Sequence, residues 1–160
     1  MDQNQQTSKT RQPILVSACL LGLPTRYDGK TKTSQAVADF LKRENLIPVP
    51  VCPEQLAGMT TPREKTFFHC GDGCDVLAGT GTVVSETGKI MNEIFRHGAA
   101  MALQIAQLSG CKRALLKERS PSCGVHQIYL GEQATDGMGV TAALLASRGL
   151  NVISEEDLPL

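Results

Sequence analysis

The sequence predicts an α/β fold, a Rossmann-like parallel-sheet sandwich with helices on both faces. Short apolar runs at residues 14–18, 46–51, 113–117 and 150–153 read as buried strands. Segments of helical spacing lie between or beside them, at 34–45, 90–108 and 141–148. Strands alternating with helices imply parallel pairing, because a crossover helix returns the chain in the same direction. The length of 160 residues, with 41% apolar and 20% charged, is that of one ordinary globular domain.

Each element has its own signals. Residues 1–12 are polar throughout and read as a disordered tail, followed by a single domain over 13–160. The tail has neither the apolar run nor the cleavage site of a secretory signal, so a cytoplasmic, reducing setting is expected. After the first strand, a loop rich in turn formers spans 20–33. Ser34 then caps a helix with Ala36, Val37, Phe40 and Leu41 on one face. Pro48 and Pro50 place the second strand at a sheet end or edge. A loop follows over 52–65. The stretch 67–81, with four glycines and two cysteines, carries no assignable element. Residues 82–85 read as a strand entering a turn. Ile94, Phe95, Met101, Ile105 and Leu108 give the longest helix its apolar spacing, and Gly110 stands at its stop. A loop over 118–126 leaves the next strand, and Gly149 stops the last helix.

Composition removes several classes of function. Sixteen Lys and Arg balance sixteen Asp and Glu, which is not the basic footprint of an obligate nucleic-acid binder. Four Phe, two Tyr and no Trp are too few rings for a base-stacking platform. No apolar run reaches the ~20 residues of a membrane span.

In a reducing compartment, six cysteines are not expected to form three disulfides. Cys19 follows the first strand, Cys52 follows the second, and Cys123 lies in the loop after a third. Ligands of open α/β sheets bind beyond the carboxyl ends of the strands, so these three thiols would share one rim. Three thiolates suit a soft metal. Zinc with a water is one such group, and a [4Fe–4S] cluster with one iron free of protein ligands is another. Buried thiols behaving as small hydrophobes account for the same spacing. The neighbouring residues add chemistry to each loop. Glu54, two residues after Cys52, is a candidate general acid or base. Ser120 and Ser122 are placed to orient a substrate or a water, or else to cap the turn at Pro121. Arg26, Tyr27, Asp28 and Arg63 are candidate substrate contacts, with surface ion pairs as the alternative use of the arginines.

Five segments in order carry a resemblance: Val16-Ser17-Ala18-Cys19-Leu20-Leu21-Gly22, Arg26-Tyr27-Asp28-Gly29, Pro50-Val51-Cys52-Pro53-Glu54, Thr61-Pro62-Arg63 and Leu116-Lys117-Glu118-Arg119-Ser120-Pro121-Ser122-Cys123-Gly124. Together they resemble the thiouracil desulfidase family, first described only as a domain of unknown function, over residues 14–157. The resemblance implies a [4Fe–4S] cluster held by Cys19, Cys52 and Cys123. It implies non-redox removal of sulfur from 2- or 4-thiouracil, with the sulfur bound to the open iron. It also implies that Glu54 is the acid/base and Ser120 the nearby hydroxyl, with Ser122 beside them. Related proteins act on thiolated uridine in transfer RNA, so the substrate is a small thiolated pyrimidine or a thiolated tRNA. The rival readings are a non-catalytic metal- or cluster-binding module, a metal-free enzyme carrying a persulfide on Cys123, and a structural domain with buried thiols. His69, Cys70 and Cys74 match no ligands of the family and read as free side chains of a glycine-rich loop. Cys111 reads as core, His97 as a structural residue of the long helix, and His126 as a residue beside the Cys123 loop.

Overall fold

The computed structural model of the chain describes residues 9–159. It contains two four-stranded sheets. The first is wholly parallel, in the order β2-β1-β5-β8, with β1 (Gln12–Ser17), β2 (Leu46–Val51), β5 (Arg113–Leu116) and β8 (Asn151–Ser154). The second is mixed, in the order β4-β3-β6-β7, with β3 (Thr66–Cys70), β4 (Thr82–Ser85), β6 (Gln127–Leu130) and β7 (Gln133–Asp136). The helices are α1 (Gln35–Arg43), α2 (Pro53–Leu56), α3 (Gly73–Ala78), α4 (Asn92–Ser109) and α5 (Val140–Ser147).

The parallel sheet agrees with the expected class, and its strand signals have physical causes. Ile14, Leu15 and Val16 are fully buried because both faces of β1 are covered. α1 packs Val37, Phe40 and Leu41 with Ile14 and Val16, while α4 and α5 pack Leu103, Ala106, Ala142 and Leu145 with Leu15 and Ala114. Pro48 and Pro50 are tolerated because β2 is an edge strand, paired only with β1. Ser34 caps α1, its hydroxyl accepting the Val37 amide at 3.3 Å.

Several expectations need correction. The segment at 82–85 is a strand, but β4 runs antiparallel to β3 in the second sheet rather than joining the first. The unassigned stretch 67–81 holds most of β3 and all of α3, whose capping box is closed by Asp72 and Asp75. The loop 52–65 contains α2, and β6 and β7 follow the Cys123 loop. Residues 1–8 of the expected tail lie outside the described residues. The described part is tethered to the start of β2: Asn45 donates to the Lys9 carbonyl at 3.1 Å, and Arg11 to the Leu46 carbonyl at 2.8 Å. Among the described residues no helix is long and apolar enough to cross a membrane.

The apolar stripe of α4 is also not the expected one. Leu108 is exposed, and the buried face is Phe95, Gly98, Ala99, Ala102, Leu103 and Ala106. Small residues win here because α2 lies close against the helix. A Cβ on Gly98 would stand 2.3 Å from the Pro53 carbonyl oxygen. Gly98 thereby fixes the approach of the turn that carries Cys52 and Glu54. Gly98→Ala is expected to lower stability by about 1–3 kcal/mol through overpacking, read as a lower midpoint in urea unfolding at unchanged slope.

Candidate active site

The carboxyl ends of three neighbouring strands, β2, β1 and β5, open onto one cavity of about 390 Å³, within the ~300–1,000 Å³ range of small-molecule sites. Cys19 arrives in a 3-10 turn directly after β1. Cys52 is the N-cap residue of α2, directly after β2. Cys123 comes from the loop after β5, and all three line the cavity. The parallel strand order thus delivers all three thiols to one rim. Lys65, Thr66 and Tyr129 reach the same space from the second sheet, with the Lys65 ammonium 5.8 Å from the Tyr129 ring centre.

The Cys123 loop is held from two sides. A Cβ on Gly139 would stand 2.4 Å from the Ser122 carbonyl carbon, so only glycine allows α5 to start against this loop. The first amides of α5, which have no partners within the helix, then find acceptors there. Val140 donates to the Pro121 carbonyl at 2.9 Å, and Thr141 to the Ser122 carbonyl at 2.9 Å. On the other side, the buried Glu118 carboxylate closes the loop by accepting the Val125, His126 and Gln127 amides on Oε1 at 2.8, 2.9 and 2.9 Å. Burial pushes the Glu118 carboxyl up, but the Gln127, His126 and Val125 amides outweigh it and hold it below the ordinary glutamate value. Its Oε2 is buried without a protein partner. In the sequence Glu118 stands inside the segment 116–124, with nothing to mark this use beyond a charge just after a core strand.

Glu54 sits half-buried between two donors. Ser122 Oγ donates to its Oε1 at 3.3 Å, and Arg63 Nε donates to its Oε2 at 2.8 Å. Ser122 is buried, and its hydroxyl orients Glu54. Ser120 Oγ accepts the Ser122 and Cys123 amides at 3.2 and 3.1 Å. The turn-capping use of Ser120 is therefore real, and its hydroxyl proton remains free for a ligand.

Arg63 differs from expectation. It lines the cavity, but all five of its N–H groups are engaged by the protein. Besides Glu54, Nη1 donates to Thr61 Oγ1 at 2.9 Å and the Thr60 carbonyl at 3.3 Å, while Nη2 donates to the Thr25 carbonyl at 2.8 Å and Cys52 Sγ at 3.9 Å. It braces three segments of the site and has no donor left for a substrate. Asp28 also departs from expectation. It is absent from the cavity wall, pairs with Arg26 Nε at 3.6 Å and accepts the Lys30 amide at 3.0 Å, which shapes the turn. Arg26 and Tyr27 do line the cavity.

The donor set, three free thiols on one cavity, has the chemistry of a soft metal group. Burial pushes the Cys19 thiol up to about 11, eased by Lys117, and raises Cys52 and Cys123 as well. The Cys52 and Cys19 thiols each oppose ionisation of Cys123, so the three share one field. Thiols this desolvated bind as thiolates when a cation compensates them. Around one zinc the sulfurs would stand about 3.8 Å apart, from Zn–S bonds of ~2.3 Å. Among the described residues no group of three or more His, Cys, Asp or Glu side chains is arranged to hold one metal ion.

The other cysteines and histidines stand apart. Cys70 and Cys74 are exposed and Cys111 is buried in the core. His69 and His97 are exposed. His126 lies outside the cavity wall, where its Nε2 meets both oxygens of Asp157 at 2.9 Å. The Asp157 bond raises the His126 pKa above its ordinary 6.5. Burial opposes ionisation of Asp157, but the Ser154 amide and His126 outweigh it and lower its pKa from 3.8. The histidine's contribution is full below its unfolded pKa and fades as pH rises through the folded one, while the aspartate's fades as pH falls. His126→Ala is therefore expected to destabilise most between about pH 4 and 6 and little above pH 8, read by thermal unfolding across that range.

A parallel α/β sheet with thiols, a carboxylate and cations at one end defines a small protein built to hold a soft metal against a polar ligand. More particularly, the chain belongs to the 2-thiouracil desulfurase family, whose profile matches residues 14–157. It is 41% identical over 148 residues to the uncharacterized protein YbbK of Bacillus subtilis (strain 168), covering 91% of this chain and 97% of that one. It also superimposes on the solved structure of the [4Fe-4S]-dependent thiouracil desulfidase TudS with a TM-score of 0.79 at 39% identity, covering 93% of this chain and 94% of that one.

Proposed function

We propose that the chain, as one domain over residues 13–160, removes sulfur from a thiolated pyrimidine in the cytoplasm, converting 2- or 4-thiouracil, or the thiouridine of tRNA, to the oxo form and hydrosulfide. The observation that carries this reading is the meeting of Cys19, Cys52 and Cys123 from three adjacent strand ends beside a braced carboxylate, Glu54. The same assignment is supported by the described cofactor of the similar TudS structure. Cys19, Cys52 and Cys123 would hold a [4Fe–4S] cluster, which supplies a soft Lewis acid for the thione sulfur. Glu54 takes a proton from the water that attacks carbon, and the bonds from Ser122 and Arg63 keep its carboxylate in place for that step. Ser120 donates its free hydroxyl proton to a ring heteroatom, and Arg26 and Tyr27 meet the pyrimidine at the opening. Arg63 and Asp28 shape the site without touching the substrate.

The test is iron and acid-labile sulfide per chain on protein purified without oxygen, followed by loss of the thione absorbance of 2- and 4-thiouracil. About four of each per chain, with turnover, is the expected result. Zinc in place of iron, without turnover, returns the protein to a binding module. An active preparation free of metal points to the persulfide route on Cys123.

A further inference from the structure

Lys117 has no part in the roles assigned above, yet it stands in the wall of the thiol cavity. Its ammonium has three N–H donors. One bonds the Glu118 carbonyl at 2.9 Å and a second pairs with Glu155 Oε1 at 3.0 Å. Glu155 is itself held, its Oε2 accepting the Glu118 amide at 2.7 Å and the Ser154 hydroxyl at 3.2 Å. The Lys117 amide donates to Ser17 Oγ at 2.9 Å, which ties its backbone to the end of β1, two residues before Cys19. The ammonium is thus fixed across the ends of β1, β5 and β8, and one N–H remains for whatever fills the cavity. Lys117 and the Cys19 thiol line the same cavity.

We propose that Lys117 is a further catalytic residue, whose free N–H hydrogen-bonds the sulfur atom being removed from the thiocarbonyl. This rests on the desulfidase reading. In that reaction water oxygen bonds to the thiocarbonyl carbon and one water proton passes to Glu54. The second water proton passes to sulfur, the carbon–sulfur bond breaks, and its electron pair leaves with sulfur as hydrosulfide. Nothing is oxidised or reduced, and Lys117 keeps its proton. A neutral thiocarbonyl becomes an anion during this step, so a full negative charge grows on sulfur in a partly enclosed space. A preorganised cation there stabilises the transition state more than the bound substrate.

The experiment compares wild type, Lys117→Met and Lys117→Arg as cluster-loaded protein prepared without oxygen. It measures kcat and KM for 4-thiouracil, and separately the affinity for sodium hydrosulfide from the change in the cluster's absorption. Lys117→Met is expected to lose kcat by about 100-fold at an unchanged iron content, with KM within about threefold, and to bind hydrosulfide at least about tenfold more weakly. Lys117→Arg is expected to recover both to within about tenfold of wild type. A methionine variant with wild-type kcat, or one that loses kcat but binds hydrosulfide normally, overturns the assignment. Should the methionine variant hold no iron, the arginine variant decides: recovery of both readouts supports the role of the charge, and a hundredfold loss of both at full iron content overturns it. Wild-type protein that holds no iron or leaves thiouracil intact overturns the desulfidase reading itself, whereas wild-type turnover with indifferent variants overturns Lys117 alone.

Discussion

Cys123→Ala is expected to leave a folded protein with no iron and no turnover. The fold survives because the thiol does not hold its own loop. Glu118 closes that loop through three amides, and the first turn of α5 holds its carbonyls. Removing one buried sulfur leaves a small cavity, at a cost of about 1 kcal/mol. In the proposed ligand set the metal is affected far more, since the loss of one of three thiolates would remove a covalent anchor of the cluster. The contrast is Cys111→Ala. That thiol is equally buried, but it lies in the core among Leu103, Ala106 and Leu145, and its loss should leave iron intact. Exposed Cys70 and Cys74 should likewise be dispensable. Iron and sulfide per chain, with circular dichroism as the folding control, decide the matter. A full iron complement in Cys123→Ala would remove Cys123 from the ligand set.

Glu54→Gln should do the reverse, keeping the metal and losing the chemistry. The glutamine carbonyl can still accept from Arg63 Nε, so the brace across Cys52, Thr25 and Thr61 remains. What disappears is the proposed acceptor of the water proton. A positioned general base is worth about 10²–10⁴-fold in rate, so single-turnover desulfuration should slow by that factor while the cluster spectrum is unchanged. Ser122→Ala, which removes only the orienting hydroxyl at 3.3 Å from Glu54, should slow it much less. Undiminished single turnover in Glu54→Gln would take Glu54 out of the mechanism.

The parallel sheet was legible in the sequence because its strands are buried on both faces and so read as continuous apolar runs such as Ile14-Leu15-Val16. The second sheet was not. Its strands are four or five residues long, β3 carries a register shift between Phe68 and Cys70, and β7 is almost entirely exposed, so neither an apolar run nor a clean alternation forms. The three thiols were legible because topology alone sends strand ends to one rim. The uses of Arg63 and Glu118 were not, because spacing cannot show which donors are already engaged. Arg63 looked like a ligand hand and is a brace. Glu118 looked like one charge in a motif and closes the loop that presents Cys123. Glu155, which holds Lys117, lies 38 residues along the chain from it, beyond any local pattern.

The parallel order β2-β1-β5-β8 also sets a timetable during synthesis. Cys19 and Cys52 leave the ribosome early, but β5 must insert beside β1 before Cys123 can join them, and β8 must dock before Glu155 can fasten Lys117. Parallel partners this distant in sequence pair late. A growing chain therefore exposes two soft thiols from the time Cys52 is made until Cys123 follows and β5 has inserted. In the proposed assignment metal loading waits for β5, and a ribosome-stalled fragment ending before β5 should emerge bare and oxidisable.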